Sequence, residues 1–168
     1  VDLRKTPLIT IDPPDARDHD DAVWAGPDDD PANPGGFQTI VAIADVATYV
    51  KPGSALDKEA RFRGNSVYFP DRVVPMLPER ISNDLCSLRE KEDRPALACF
   101  MIFDKSGTKK SHRFARAIMR SAAKLSYEEA QAAIDGRANA KTDVLLEGVL
   151  KPLWKAYGAL MKARAKRE

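Results

Sequence analysis

The sequence has few of the residues that mark membrane, secreted or cysteine-rich metal proteins. Its two cysteines, Cys86 and Cys99, have a separation that fits no metal-binding spacing, and nothing in the sequence requires a disulfide. No apolar run approaches the roughly 20 residues that cross a bilayer, and no signal-peptide core follows the first charged residues. We therefore expect no membrane span, reduced thiols and a cytoplasmic location.

Internal repeats and low-complexity tracts are also absent from the sequence. Hydrophobic residues make up 43% of the chain and charged residues 31%, which are values of a folded globular protein. At 168 residues the chain has the length of one domain with a sizeable core. Because Val1 stands where an initiator methionine would be, we expect a chain that begins inside a longer polypeptide.

The charges are unevenly distributed, although the formal net charge is only +2. Residues 12–30 hold eight aspartates against the single base Arg17, whereas residues 151–168 hold six lysines or arginines against the single acid Glu168. The acidic segment is suited to a cation. The basic segment is suited either to a phosphate backbone or to a solvated helix face.

Four aspartates lie within ten residues: Asp12, Asp18, Asp20 and Asp21. An apolar, strand-like segment precedes the first of them and another follows the last. If the four converge, each pair about 5 Å apart repels by on the order of 3 kcal/mol at an effective dielectric near 20. A cation offsets this repulsion, and Mg²⁺ prefers carboxylate oxygens together with substrate phosphates. The four aspartates therefore predict a magnesium site for phosphate chemistry.

A calcium-binding loop is the main alternative for these aspartates. The EF-hand pattern requires oxygen ligands at its first, third and fifth positions. A loop that starts at Asp12, Asp18 or Asp28 has proline or alanine at one of these positions. Asp15 and residues 28–30 are expected to stabilise turns instead. His19 lies inside the cluster, but Mg²⁺ prefers oxygen. We therefore expect a partly exposed His19 that does not bind the metal.

The hydrophobic pattern places strands first and helices later. Strands are expected over residues 8–12 and 37–44, with a hairpin over 96–123. Helices are expected over residues 54–63, 126–134 and 142–167, the second opened by a capping box at Ser126. Pro152 should kink the last helix or mark its first turn. This order predicts an α+β fold, with a mixed or antiparallel sheet and flanking helices.

Several blocks of the sequence occur in an order that is specific to one family. The blocks are residues 10–23, 41–46, 63–70, 74–78 and 81–89. Together they strongly resemble the signature of the RNase II/RNase R exoribonucleases, in particular the RNase R-like bacterial members. Residues 96–127 also resemble the hairpin and the start of the next helix in that family.

The resemblance implies a hydrolase that degrades single-stranded RNA processively from its 3′ end to nucleoside 5′-monophosphates. It implies Mg²⁺ as the cofactor, with Mn²⁺ as a possible substitute. The four aspartates match the family's catalytic acidic residues. By this resemblance Asp12 and Asp21 are direct metal ligands, Asp18 completes the shell, and Asp20 holds a second metal or the attacking water.

Two further residues match positions of the family. Tyr68 matches a tyrosine that packs against the terminal nucleotide, which makes it a candidate substrate-binding residue. The surrounding composition alone allows either base stacking or a core tyrosine. Asp45 matches an aspartate to which we assign a structural role.

The family's catalytic domain, the RNB domain, is considerably longer than this sequence. Its later part supplies an arginine and a glutamate near the scissile phosphate, and no such block precedes Glu168. We therefore expect residues 1–168 to be the N-terminal half of one RNB domain, incomplete by itself and without the flanking RNA-binding domains. The alternative is a non-catalytic RNA-binding module of the same fold, against which the four retained carboxylates argue.

Overall fold

The computed structural model describes residues 1–167. The main element of this part of the chain is a seven-stranded mixed sheet. In this described part of the chain the strands are β1 (Asp2–Leu3), β2 (Ile9–Asp12), β3 (Asp21–Pro27), β4 (Phe37–Ala44), β5 (Val67–Tyr68), β6 (Val73–Val74), β7 (Asp93–Phe103), β8 (Lys109–Arg120) and β9 (Ala123–Ser126). The main sheet has the order β1-β8-β7-β4-β3-β2-β9, and β5 pairs with β6 in a separate two-stranded sheet.

The sheet is antiparallel at its centre and parallel towards both edges. Strands β2, β3, β4, β7 and β8 follow one another with antiparallel pairing. At the edges, β9 lies parallel to β2 and β1 lies parallel to β8. The α+β prediction with a mixed sheet is therefore confirmed.

Each face of the sheet buries its own hydrophobic cluster. Strand residues alternate between the two faces, as side chains of a pleated strand must. One cluster is built around Ala22, Ala42 and Ala98, which are register partners on neighbouring strands. The other is built around Ile9 and Leu125 on β2 and β9, against which the C-terminal helices pack. Strand β2 therefore lies between two cores.

The helices are α1 (Ala55–Arg63), α2 (Tyr127–Ile134), α3 (Ala140–Leu145) and α4 (Lys151–Ala165). A 3₁₀ turn spans Val46–Thr48, and π-helical turns span Arg80–Leu85 and Leu146–Leu150. Ser126 forms the predicted capping box, which opens α2. The expected helix 142–167 is instead divided by the second π-helical turn, and Pro152 lies in the first turn of α4. Among the described residues, no helix combines the length and apolar character needed to cross a membrane.

The predicted hairpin is β7 and β8, but its predicted end was too late. Strand β8 ends at Arg120, and Ala123 already belongs to β9. Strand β9 leaves the hairpin and crosses to β2, where Ile9 pairs with Ala123 and Asp12 with Ser126. This crossing supplies the second neighbour of the strand that ends on Asp12.

Candidate active site

Residues 13–20, here called the acidic loop, connect the end of β2 to the start of β3 and lack regular structure. Four hydrogen bonds from three distant segments nevertheless fix this loop. They are Ala44 N to Asp20 O at 2.8 Å, Leu88 N to His19 O at 2.7 Å, His19 N to Ser87 Oγ at 3.2 Å and Lys124 Nζ to Ala16 O at 3.2 Å. Pairing the backbone of an irregular segment in this way satisfies its polar groups and holds the loop in one place.

Asp12 is the last residue of β2, and its side chain is mostly buried against His19. The His19 ring nitrogen Nδ1 lies 2.7 Å from Asp12 Oδ2. In the tautomer that carries its hydrogen on Nδ1, the ring donates to this carboxylate oxygen. His19 is 4% exposed, so the expectation of a partly exposed histidine was wrong. A buried carboxylate needs such a partner, because removing it from water without one is costly.

Asp21, the first residue of β3, shows that the aspartates act on one another. Partial burial is the largest cause that raises the pKa of its carboxyl, and the charges of Asp20 and Asp12 raise that pKa further. These three carboxylates therefore share one region at the ends of β2 and β3. Asp18 is exposed in the same loop, and the structure gives no contact that joins it to the other three.

The chemistry of these donors suits a hard divalent cation, although the side chains are not arranged as a closed shell. Within residues 1–167, no three side chains of His, Cys, Asp or Glu form a group that could hold a metal ion. Mutual repulsion of carboxylates opposes a closer arrangement. In the same part of the chain, Asp18, Asp20 and Asp21 form no ion pair with lysine or arginine. Oxygen donors with uncompensated charge are what Mg²⁺ or Mn²⁺ binds best.

Asp45 lies directly after β4 and is also buried, but it faces a cation. Its Oδ2 atom lies 3.2 Å from Arg116 Nε on β8, and its backbone N–H donates to Pro95 O at 3.0 Å. Both contacts tie the end of β4 to the neighbouring strands. They agree with a structural role for Asp45.

Tyr68 lies outside the main sheet, on the two-stranded β5–β6 hairpin. Its side chain is 70% exposed, so it is not a core tyrosine. Phe69 next to it is 46% exposed and lies under the guanidinium of Arg72, whose centre is 5.0 Å from the ring centroid. The hairpin therefore presents two aromatic rings and a cation on an open surface.

The sequence did not indicate two of the groups that hold the acidic loop. Nothing near Lys124 suggested that it reaches Ala16, because that contact depends on the crossing of β9 to β2. The burial of His19 depends on Ser87 and Leu88, almost 70 residues away in the sequence. A histidine inside a run of aspartates was the one available signal.

Comparison with known proteins matches the whole chain to one family. Residues 1–168 match the RNB domain family. Ribonuclease R of Acidithiobacillus ferrooxidans is 48% identical over 167 residues, which cover 99% of this chain and 37% of that protein. Ribonuclease R of Escherichia coli K12 is 44% identical over 168 residues, which cover 99% of this chain and 20% of that protein.

The fold has the same relatives among solved structures. The structure of Mycoplasma genitalium RNase R in complex with double-stranded RNA matches with a TM-score of 0.90 and 34% identity. The match covers 99% of this chain and 29% of that one. The chain thus spans between 20% and 37% of the length of these relatives.

Proposed function

The chain belongs to the RNB domain family, and from that premise we propose that it is part of a 3′→5′ exoribonuclease. In this proposal the substrate is single-stranded RNA, which is degraded processively to nucleoside 5′-monophosphates with Mg²⁺ or Mn²⁺ as cofactor. Residues 1–168 form the first part of an RNB catalytic domain within a longer cytoplasmic protein. The ribonuclease R relatives support the reaction, and the partial coverage of their length supports the longer protein.

The observation that carries the proposal is the concentration of negative charge where β2 ends and β3 begins. The carboxyl of Asp21 has a raised pKa partly because Asp20 and Asp12 are charged and close. Such an arrangement costs stability, so a fold that retains it gains something else from it. A divalent cation that also binds the phosphate of RNA relieves the repulsion and supplies that function.

Each aspartate has a distinct role in this proposal. When bound, Mg²⁺ or Mn²⁺ activates water and neutralises charge on the phosphate in the transition state. Asp12 and Asp21 hold the ion from the two strand ends, and Asp18 completes the ligand set from the acidic loop. Asp20 holds a second ion or orients the attacking water. Its backbone oxygen is already fixed by Ala44 N.

Tyr68 binds the substrate rather than taking part in the chemistry. Its exposed ring offers a stacking surface for the base of the terminal nucleotide, an interaction worth ~1–3 kcal/mol for each base. Stacking does not depend on which base is present, as a general RNA-degrading enzyme requires. The neighbouring Arg72 is paired with Asp71 at 3.0 Å, and this exposed pair would have to open for Arg72 to bind the phosphate backbone.

The proposal is tested by a chimera in which residues 1–168 replace the 168 matched residues of Escherichia coli ribonuclease R. The readout is a denaturing gel of 5′-labelled single-stranded RNA, with Mg²⁺ and with chelator. We expect shortening from the 3′ end that requires Mg²⁺. Asp20→Asn in the chimera should lower the rate about 10²–10³-fold, the range for removing one group that stabilises charge in a transition state.

Asp15→Asn is the matched control, because Asp15 lies in the same loop outside the proposed set and should leave the rate within about twofold. A chimera that binds RNA but never shortens it would favour the alternative of a non-catalytic RNA-binding module. Shortening that survives both chelator and Asp20→Asn would contradict the metal mechanism. The chain alone is expected to bind RNA without shortening it, since it spans a fifth of the Escherichia coli protein.

A further inference from the structure

Hydrogen bonds fix the backbone of His19, and this restricts the groups that its ring can contact. Its backbone N–H donates to Ser87 Oγ and its backbone oxygen accepts from Leu88 N. Ser87 and Leu88 are each 1% exposed, so these contacts belong to the core and not to the surface. The backbone of His19 is therefore anchored through both its N–H and its oxygen, independently of its side chain.

The anchored ring makes one hydrogen bond to a carboxylate that is itself almost buried. Nδ1 lies 2.7 Å from Asp12 Oδ2, and Asp12 is 8% exposed. This distance is at the short end of the range for N–H···O hydrogen bonds. The bond occupies Oδ2, whereas Oδ1 has no hydrogen-bond partner among residues 1–167 and is therefore the freer oxygen for an ion.

We infer that His19 is a positioning residue for Asp12: it fixes the carboxylate rotamer so that a single oxygen, Oδ1, is presented to a divalent cation. The inference rests on the metal role proposed above for Asp12. It adds to that role a residue that touches neither metal nor RNA. Partners behind a ligand commonly change metal affinity by 10–100-fold, because they orient the ligand and keep it ionised.

A purely structural role for His19 is the competing explanation. In that case the imidazole only fills space and satisfies Asp12, and its loss lowers stability without changing how the site binds an ion. The two explanations separate when affinity and stability are measured on the same variants. The choice of substitutions is set by the ring atom that contacts Asp12, which is Nδ1.

The experiment measures Mn²⁺ binding to the whole 168-residue chain by the loss of the free-ion electron paramagnetic resonance signal, with thermal melting of each variant alongside. His19→Phe keeps a ring but has no donor, whereas His19→Asn loses the ring but places an amide nitrogen where Nδ1 was. We expect His19→Phe to weaken Mn²⁺ binding about 10-fold. His19→Asn should bind within about threefold of the parent, whatever its melting temperature. Asp21→Asn serves as the reference that removes a proposed ligand.

Mn²⁺ affinity that is the same in His19→Phe and the parent, while Asp21→Asn weakens it, overturns the positioning role and leaves the proposed function intact. Equal weakening in the Phe and Asn variants also overturns it, since the donor would then be irrelevant. A parent chain with no measurable Mn²⁺ binding overturns the metal role of Asp12 and the inference with it. Should His19→Phe not fold, His19→Gln replaces it, because its amide lies one bond too far out to occupy the Nδ1 position.

Discussion

The acidic loop and the β5–β6 hairpin differ in what holds them. The loop is bonded to β4, to the segment before β7 and to β9, and its residue His19 is buried. The hairpin is bonded within its own neighbourhood, where Phe69 N donates to Arg72 O and Met76 N donates to Ser66 Oγ. Its side chains, led by Tyr68, are exposed.

This difference follows the demands of the two proposed tasks. Groups that hold an ion or a reacting water must be placed within a fraction of an ångström, which requires support from several directions. A ring that stacks on any base needs an open face more than a fixed position. Under the proposed function, the chemistry would thus be placed on the core and the recognition surface beside it.

The largest effect is expected from Leu88→Ala, a substitution of the core residue whose backbone N–H binds the acidic loop. Leu88 is 1% exposed and its backbone holds His19, so the substitution leaves a cavity beneath the loop. The free energy of unfolding should fall by about 2–5 kcal/mol, measured by urea denaturation. Val73→Ala in the hairpin is the control and should cost less than about 0.5 kcal/mol, since Val73 is 47% exposed. Equal losses would break the distinction between the two regions.

A smaller effect, on binding rather than stability, is expected from Tyr68→Ala. The affinity of the chimera for single-stranded RNA should fall by ~1–3 kcal/mol, measured by fluorescence anisotropy, while the melting temperature stays the same. Phe62→Ala is the matched control, because Phe62 is 87% exposed but lies on α1 outside the hairpin. A loss of affinity shared by both variants would mean that general apolar surface, and not the hairpin, contacts RNA.

The smallest effect is expected from Asp21→Asn, and it has an unusual sign. A raised pKa means that the folded protein holds the Asp21 proton more tightly than the unfolded chain, so ionisation of this carboxyl lowers stability. Without divalent ions, the variant should melt slightly above the parent at pH 7. The difference should vanish as the pH falls below the ordinary aspartate pKa and the carboxyl is protonated in both states.

Added Mg²⁺ sharpens the Asp21 experiment, because under the proposed function it should raise the melting temperature of the parent more than that of Asp21→Asn. Asp29→Asn removes a charge from a different loop and is the control for net charge alone. A variant less stable than the parent at pH 7 without metal would show that Asp21 makes a favourable contact in the fold.

Local patterns in the sequence predicted local structure well. The strand Phe37–Ala44 and the helix opened by Ser126 are both where the apolar, β-branched run and the capping box placed them. Strand β9 was not predicted, and its first residue, Ala123, was assigned to the hairpin, because its partner β2 lies at the other end of the chain. Pro152 was expected to kink the last helix or mark its first turn, and it lies in the first turn of α4. The π-helical turn before it was not predicted, since such a turn has no simple sequence signal.

In the candidate site, too, features with a local sequence signal were predictable and features that depend on tertiary structure were not. The nearness of Asp20 and Asp21 to Asp12 could be predicted because strand-like segments flank the cluster on both sides. The burial of His19 could not, because Ser87 and Leu88 reach it through tertiary structure alone. Whether all four aspartates and Tyr68 act together stays a prediction.

The parallel pairing of β2 with β9 also determines when the sheet can be completed during synthesis on the ribosome. Because Ile9 pairs with Ala123, β2 gains its second neighbour only after more than 110 further residues have been synthesised. At about 5–20 residues per second, that delay is roughly 6–23 s. During it β2 is an unpaired edge, which is the kind of strand that aggregates. The carboxylates that follow β2 place charge beside that edge, which is a feature that opposes edge-to-edge pairing between chains.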